Sequence, residues 1–472
     1  MNMKGKKVNR KITSDFVYRL KEIVGDERVL DDPDTIERYS CDETPELYSM
    51  PDLVVLPKTS DEVAEVVKLC YENEVPITPR GAGTGVAGGA VPILGGVVVS
   101  LEKMKDIIEV DEKNLIARVQ PGIITGEFQR EIESIGLYYP PDPASVDSCS
   151  LGGNVATSAG GMKAFKYGTT KNFVYGLEVV LPEGKKVRLG GKMIKDVAGY
   201  DLKSLIIGSE GTLGIITEVM VKLVPKPSFS AELLAGFESS SAAISAALRI
   251  IPKTGVYPAA MEFMEGEIVK LVEVLLEHEL PMSDCAAQII VALESFDETR
   301  LERELEVVGE HLLEEGAVDV LVAMTRPESE RLWKARRSIR DAIRHRSKDI
   351  AAEDVAVPPT RIPELLEGVK KIGEKHGATI LGFGHLGDGN MHIDLLRDSM
   401  EDDVWAAAKD EIVPEILGLA VKLGGTITGE HGIGYVKRKY LRMFYESPFV
   451  NTIATIKKAI DPKGLMNPEK II

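Results

Sequence analysis

Pro79-Arg80-Gly81-Ala82-Gly83-Thr84-Gly85-Val86-Ala87-Gly88-Gly89-Ala90 is the stretch on which the fold turns. Gly83 to Gly88 spell G-x-G-x-x-G just after a short strand pattern at 75–78, the spelling of a dinucleotide-binding turn. Such a turn works only if a helix opens within it and presents its N-terminus to the pyrophosphate. The chain instead continues Val91-Pro92-Ile93-Leu94-Gly95-Gly96. A proline among further glycines does not carry that helix. The stretch therefore reads as a loop whose bare amides wrap an anion, glycine permitting positive φ and close approach.

Two more segments are built the same way. One runs from Pro141-Asp142-Pro143 through Ser150-Leu151-Gly152-Gly153-Asn154-Val155-Ala156-Thr157-Ser158-Ala159-Gly160-Gly161 to Tyr167-Gly168. The other is Gly208-Ser209-Glu210-Gly211-Thr212-Leu213-Gly214-Ile215-Ile216-Thr217. Three small-residue segments in one domain suggest one long ligand threaded through it. A dinucleotide has the length and the need for backbone donors.

Around these loops the pattern is that of mixed α and β structure. Thr59 with Glu62 spells a capping box, and Val63, Val66, Val67 and Cys70 follow at helical spacing. Strands are expected at 97–101, 115–120, 176–181 and 215–223, and a helix at 125–135. Residues 140–161 read as a loop, and Pro225 and Pro227 mark a boundary. Beyond it, helical patterns near 240–250, 265–278 and 300–315 alternate with strands at 288–293 and 318–324. A helix at 402–423 ends on Gly424-Gly425.

Composition narrows the function. The 472 residues carry a net charge of -17, which disfavours nucleic-acid binding because phosphate contacts need positive charge. No apolar run reaches the ~20 residues of a membrane span. The basic start (Lys4, Lys6, Lys7, Arg10, Lys11) has no apolar stretch after it and reads as a solvated tail, not a secretory signal. Cys41, Cys70, Cys149 and Cys285 are scattered, so neither an iron–sulfur cluster nor a disulfide framework is expected, and the cytoplasm is the default.

Of seven histidines, three lie in Gly384-His385-Leu386-Gly387-Asp388-Gly389-Asn390-Met391-His392 and Thr428-Gly429-Glu430-His431-Gly432-Ile433-Gly434. Asp-Gly signals a hairpin, which brings His385 and His392 to one mouth. Such a pair fits either satisfied structural histidines or two ligands of a divalent metal with a carboxylate beside them.

Taken together, from about Tyr39 to the C-terminus, these motifs resemble the vanillyl-alcohol-oxidase (PCMH) type of FAD-linked oxidases, in the branch of D-lactate, glycolate and D-2-hydroxyglutarate dehydrogenases. The resemblance implies an α+β fold: a two-subdomain FAD-binding domain, an α+β cap domain with an antiparallel sheet, and a C-terminal segment returning to the flavin. The corresponding boundaries are 1–50 for an N-terminal helical segment, then 51–227, 228–445 and 446–472.

It also implies site residues. Pro79, Arg80, Gly81, Ala82, Gly83, Thr84, Gly85, Gly88 and Gly89 would hold the FAD pyrophosphate. Pro141, Asp142, Ser150, Gly152, Gly153, Asn154, Thr157, Gly160, Gly161, Tyr167, Gly168, Glu210, Gly211, Gly214 and Ile216 would hold the adenine, ribityl and flavin portions, with Asn467 closing from the C-terminus. The first loop has no histidine for covalent attachment, so FAD would bind non-covalently. His385, His392 and Glu430 would ligate a metal, usually zinc, that orients the substrate. His431 would take the hydroxyl proton while hydride passes to flavin N5. Arg336 and Asn390 would contact the substrate, with Arg340 one turn beyond Arg336.

The resemblance thus implies oxidation of a small (R)-2-hydroxy acid, D-lactate or glycolate foremost. D-2-hydroxyglutarate is kept as an alternative, not assigned: enzymes acting on it carry an uncharged residue at the Arg340 position and a lysine at that of Ala352, so a distal carboxylate would either fall to Arg340 as a substrate contact or be absent. A non-redox enzyme like alkyl-glycerone-phosphate synthase uses the same fold and is the competing expectation, as is a subunit binding FAD only for structure. An external electron acceptor is implied: an iron–sulfur subunit, an electron-transferring flavoprotein, a cytochrome or a quinone. A homodimer, and peripheral contact with the inner membrane face through a partner, are compatible with this reading.

Overall fold

The computed structural model describes residues 12–472, and the basic stretch before Ile12 lies outside them. The chain divides into two compact units. The first comprises Met1–Gly160, Thr169–Lys226 and His431–Ile472, and the second Gly161–Gly168 and Pro227–Glu430.

In the first unit, strands Leu53–Val55 and Ile77–Arg80 flank Val97–Ser100 in parallel. The crossover between the outer two is helix Ser60–Glu72, which buries Val63, Val66, Val67 and Cys70 against the sheet. Parallel strands are covered in this way because both faces need apolar partners. Described residues before 51 add to this sheet and its core. Val29–Leu30 adds an antiparallel fourth strand, and Phe16, Leu20 and Val24 of helix Ser14–Val24 complete the same core. The glycine loop leaves the carboxyl end of Ile77–Arg80, where open α/β sheets place ligands. A five-stranded antiparallel sheet follows, in the order Ile107–Asp111, Ile116–Val119, Ile215–Lys222, Val174–Val180, Lys186–Gly190. The C-terminal chain returns to the first sheet: Met466 bridges Ile77, and Lys457 clamps the turn through Asp461 and the carbonyls of Thr212 and Met466.

Two local expectations need correction. Thr59 accepts the Glu62 N–H at 3.1 Å, but Glu62 does not reach back to the Thr59 amide. Its carboxylate takes the Lys58 N–H at 2.7 Å and a two-pronged pair from Arg28 instead, and a charged donor outcompetes an amide. Within 140–161, a helix spans Leu151–Thr157, capped by Ser150 accepting from the Gly153 N–H at 3.3 Å. Gly152 and Gly153 fit it because Gly152 lies against Pro121, where a Cβ would come within 2.4 Å.

The second unit is one seven-stranded sheet, antiparallel throughout. Its order is Asp319–Ala323, Phe229–Phe237, Ala287–Ser295, Ala260–Glu265, Ile380–His385, Asn390–Leu396, Ile350–Ala356. Helices Gly266–Leu276, Arg326–Arg337 and Ile339–Arg346 contribute to the core over one face, meeting Leu234, Ile290, Leu381 and Phe383. The short stretch Gly161–Gly168 also belongs here. Lys163 and Lys166 donate to the Glu294 carboxylate, on a side chain only 6% exposed, at 2.7 and 3.3 Å, and Tyr167 Oη donates to it at 2.6 Å.

Burial alone would push the Glu294 carboxyl up, but Lys163, Tyr167 and Lys166 outweigh it and hold the group below its ordinary 4.5. A depressed carboxyl stabilises the fold above its unfolded value, and that contribution fades as pH falls through the folded one. Glu294→Gln should therefore cost about 1–3 kcal/mol at neutral pH, and the gap from wild type should close on acidification below pH 4.5. Urea unfolding at several pH values checks this; a gap independent of pH contradicts it.

Candidate functional site

The register of the second sheet builds one site on one face. Glu262 stands opposite His385, and His385 opposite Asn390. In the neighbouring row Met264, Phe383, His392 and Asp354 follow one another across four strands. Alternate residues of a strand share a face, so both rows point the same way. The hairpin is closed by His385-Leu386-Gly387-Asp388-Gly389-Asn390, with Gly389 at φ 84.

Glu262 is fully buried and binds two partners. One oxygen meets His385 Nδ1 at 2.7 Å; the other accepts from Arg336 Nε at 2.8 Å and pairs with Nη2 at 2.6 Å. With Nδ1 engaged, His385 turns Nε2 toward Glu430 at 3.9 Å, and His392 Nε2 faces the same Glu430 oxygen at 3.6 Å. The three converge at separations too long for direct hydrogen bonds, and their ligand atoms all lie within 4.8 Å of one another. Two imidazoles and a carboxylate converging on one point, with a carboxylate behind one imidazole, is a donor set that fits a divalent cation. Burial by itself lowers the His385 pKa, but Glu262 and Glu430 reverse this and hold it well above 6.5. The centre therefore favours positive charge.

Glu430 is set by Asp354, also fully buried. Asp354 accepts from Asn390 Nδ2 at 2.6 Å, Thr428 Oγ1 at 2.9 Å, and the Gly429 and Glu430 amides at 2.8 and 3.0 Å. Gly429 cannot be larger, since a Cβ would sit 2.2 Å from Asn390 Nδ2. Arg336 is buried, not on a solvated helix face, with its guanidinium 5.1 Å from the centroid of the Phe383 ring. Arg340 shares that ring at 5.5 Å, but it donates to fully buried Asp394 at 2.9 Å. Its charge is neutralised from within the protein.

In the first unit parts of the three glycine segments lie against one another. A Cβ on Gly81 would strike Ser150 Oγ at 2.2 Å, and one on Gly211 would come within 3.2 Å of Pro79. Asn467 Nδ2 donates to the Gly89 and Glu210 carbonyls at 3.0 and 2.8 Å. Its buried Oδ1 has no hydrogen-bond partner among the described residues. The N–H groups of Gly81 to Gly85 find no acceptor among the described residues either. Bare amides and a buried acceptor beside them fit a phosphate-bearing cofactor with ring N–H groups.

Other members of the set are engaged elsewhere. Arg80 donates to the Cys41 and Arg38 carbonyls, so it pins the N-terminal chain. Asn154 gives its amide to Thr125 at 2.7 Å, Gln129 takes the Pro141 carbonyl, and Thr157 bonds back to Gly153 within its helix. Gly214 and Ile216 are strand-packing positions against Val179 and Val180. Gly161, Tyr167 and Gly168 lie in the second unit, drawn there by Glu294. Of the remaining positions, Asp142 is half-buried in a turn-rich stretch, Ala82, Thr84 and Gly85 lie along the loop, Gly88 is buried with its N–H donated to Thr44 Oγ1 at 2.6 Å, and Gly160 ends the first stretch of the first unit.

His431 opens the chain's return to the first unit. The residues after it are held by Glu210, which accepts the Ile433 and Gly434 amides at 2.8 and 2.7 Å. Burial, partly offset by those amides, pushes Glu210 up to about 7. Glu262 and Asp354 are the buried acids of the candidate site that the motif reading missed. Each interrupts an apolar strand pattern on its buried face, and a buried carboxylate demands cationic or multiple N–H partners. Replacing Glu262 with Ala should destabilise the protein by about 3–5 kcal/mol, because Arg336 is left buried without a counter-charge. Calorimetric or urea unfolding measures it; a loss under about 0.5 kcal/mol, the range of surface changes, contradicts the bridge.

Residues 226–471 match the family "FAD linked oxidases, C-terminal domain", and residues 51–190 match "FAD binding domain". The chain is 40% identical to the glycolate oxidase subunit GlcD of Bacillus subtilis (strain 168), covering 98% of this chain and 97% of that one. It is 37% identical to a D-lactate dehydrogenase of Anaerostipes hadrus, covering 98% of each. The fold superimposes on p-cresol methylhydroxylase with a TM-score of 0.79 at 18% identity, over 97% of this chain and 96% of that structure. With its glycine cradle and buried acidic–imidazole centre, this chain belongs to the FAD-linked oxidases with the PCMH-type fold.

Proposed function

We propose that the protein is an FAD- and divalent-metal-dependent dehydrogenase that oxidises a small (R)-2-hydroxy acid, D-lactate or glycolate, to the 2-oxo acid. The observation carrying this reading is the Glu262 bridge, which ties a substrate-binding arginine to a metal-binding histidine through one buried carboxylate. The names of the relatives, glycolate oxidase subunit and D-lactate dehydrogenase, support the substrate class.

When bound, FAD would supply the two-electron acceptor for the substrate's α-hydrogen, and the divalent cation, zinc by the family resemblance, would supply Lewis acidity toward the hydroxyl and carboxylate. His385, His392 and Glu430 hold the cation. Glu262 keeps the proton on Nδ1 of His385, so Nε2 is the ligating nitrogen. Arg336 keeps Nε and Nη2 on Glu262 and offers its remaining edge to the substrate carboxylate. Asn390 is fixed by Asp354 beside the ligands. His431 takes the hydroxyl proton as the α-hydrogen departs with its electron pair. Since Asp394 already neutralises Arg340, a second substrate carboxylate finds no net charge there, which favours a short substrate over D-2-hydroxyglutarate. The electrons then leave to an external acceptor, for which an iron–sulfur subunit, an electron-transferring flavoprotein, a cytochrome or a quinone is suited. No described helix is long and apolar enough to cross a membrane.

Anaerobic addition of D-lactate or glycolate should bleach the flavin absorbance, with D-2-hydroxyglutarate weaker. Silence toward every 2-hydroxy acid would favour the non-redox chemistry of the alkyl-glycerone-phosphate synthase type. His431→Ala should retain flavin but lose reduction, by about 100- to 10,000-fold for a general base; undiminished reduction removes it from that role. Elemental analysis should find metal in the wild type and little in His385→Ala. Equal content in both contradicts the ligand set.

A further inference from the structure

Gly161–Gly168 leaves the first unit, joins the second, and returns. It is a strap held at three points by Glu294, with Met162 packed on Ala259, Ala260 and Ala292. Between these anchors lies one turn of helix, Ala164–Tyr167, which presents Phe165. That ring stacks on Tyr257 at 5.1 Å with an interplanar angle of 4°, and the Tyr257 hydroxyl returns to the Phe165 carbonyl at 3.3 Å.

The other neighbour of the ring is the metal hairpin. A Cβ on Gly387 would lie 2.5 Å from Phe165 Cγ. Gly387, unlike Gly389, has no positive φ to demand glycine. Its backbone is bare because the ring occupies the space. The turn on which it sits carries His385 and Asp388 and leads to His392. Its backbone fastenings are the Leu386 and Gly387 amides on the Met261 carbonyl at 2.8 and 3.4 Å, Gly389 on His385, Asn390 on Asp388, and the Val357 amide on the Gly389 carbonyl at 3.0 Å. The Asn390 side chain adds bonds to Asp354 and the Val355 carbonyl, so the turn is tied at its far end, and the atoms nearest a Cβ on Gly387 are those of Phe165.

We propose that Phe165 is a positioning residue. Clamped between Tyr257 and Gly387 by the Glu294-anchored strap, it sets the height of the His385–His392 turn and so the convergence of the two imidazoles. Glu294 acts one step further back, by fixing the turn of helix from which Phe165 projects. In its effect on metal this rests on the proposed metal site; in its effect on the hairpin it does not.

The test uses full-length flavoprotein in three variants: Phe165→Ala, Phe165→Tyr and Gly387→Ala. In metal-stripped protein, hydrogen exchange of the amides at 385–390 should accelerate in Phe165→Ala and Gly387→Ala, and return toward wild type in Phe165→Tyr, which keeps the ring. Zinc titration should show affinity weakened by about 10- to 100-fold in the first two, as for outer-shell residues of metal sites, and restored in the third. Wild-type exchange at 385–390 with zinc affinity within about twofold of wild type in Phe165→Ala would overturn the proposal. If the wild type takes up no zinc, accelerated exchange alone still supports the positioning role, and the metal reading fails separately. If Phe165→Ala unfolds globally, Phe165→Leu is measured in its place, and the same outcomes apply.

Discussion

Everything at the candidate centre depends on one carboxylate that water does not reach. Glu262 sits in the middle of a seven-stranded sheet at 0% exposure. An isolated carboxylate there would cost far more than folding can supply, so it must be matched by positive charge. Arg336 and His385 do this from two sides. The requirement runs both ways. The arginine is held at a fixed height above Phe383, and the imidazole is held in one tautomer. The chain gains two oriented functional groups from one electrostatic necessity.

The sheet supplies the rest of the geometry through register alone. Cross-strand neighbours on one face lie about 4.5–5.5 Å apart, so residues far apart in sequence become adjacent when the pairing is fixed. Asp354 and His392 meet this way, as do His385 and Asn390. Asp354 then extends the order beyond the sheet by gathering two backbone amides, one hydroxyl and one side-chain amide into the turn that ends at Glu430. Glu210 does the same for the residues just past His431. Two buried acids thus hold the chain on either side of the Glu430-His431 pair.

The sequence was legible where local chemistry dictates local form. The glycine loop is separable from a nucleotide-binding helix turn by Pro92 and the glycines around it, and the Asp388-Gly389 hairpin and the helix ending at Lys422 follow from turn and cap rules. It was not legible where a distant group decides. Glu62 has the spelling of a capping box, but Arg28 draws it away. Leu151–Thr157 is a helix with a serine cap despite its two glycines, and Gly152 leaves room for Pro121, contributed from elsewhere in the chain, to pack against it. Gly161 to Gly168 follow directly on a glycine-rich segment, yet Glu294 holds them in the other unit. Arg340 carries nothing in its own neighbourhood to announce that Asp394 neutralises it. Each of these outcomes depends on a charge or a surface that is contributed by a different part of the chain.

In the proposed mechanism the metal is a clamp and the flavin the acceptor. Anaerobic stopped-flow reduction with D-lactate deuterated at C2 tests it most directly, on protein stripped of metal and then reloaded with zinc, which has no redox chemistry. Flavin reduction should show a primary isotope effect, collapse on stripping and return with zinc. Undiminished reduction in the stripped protein, or recovery only with a redox-active metal, would contradict it.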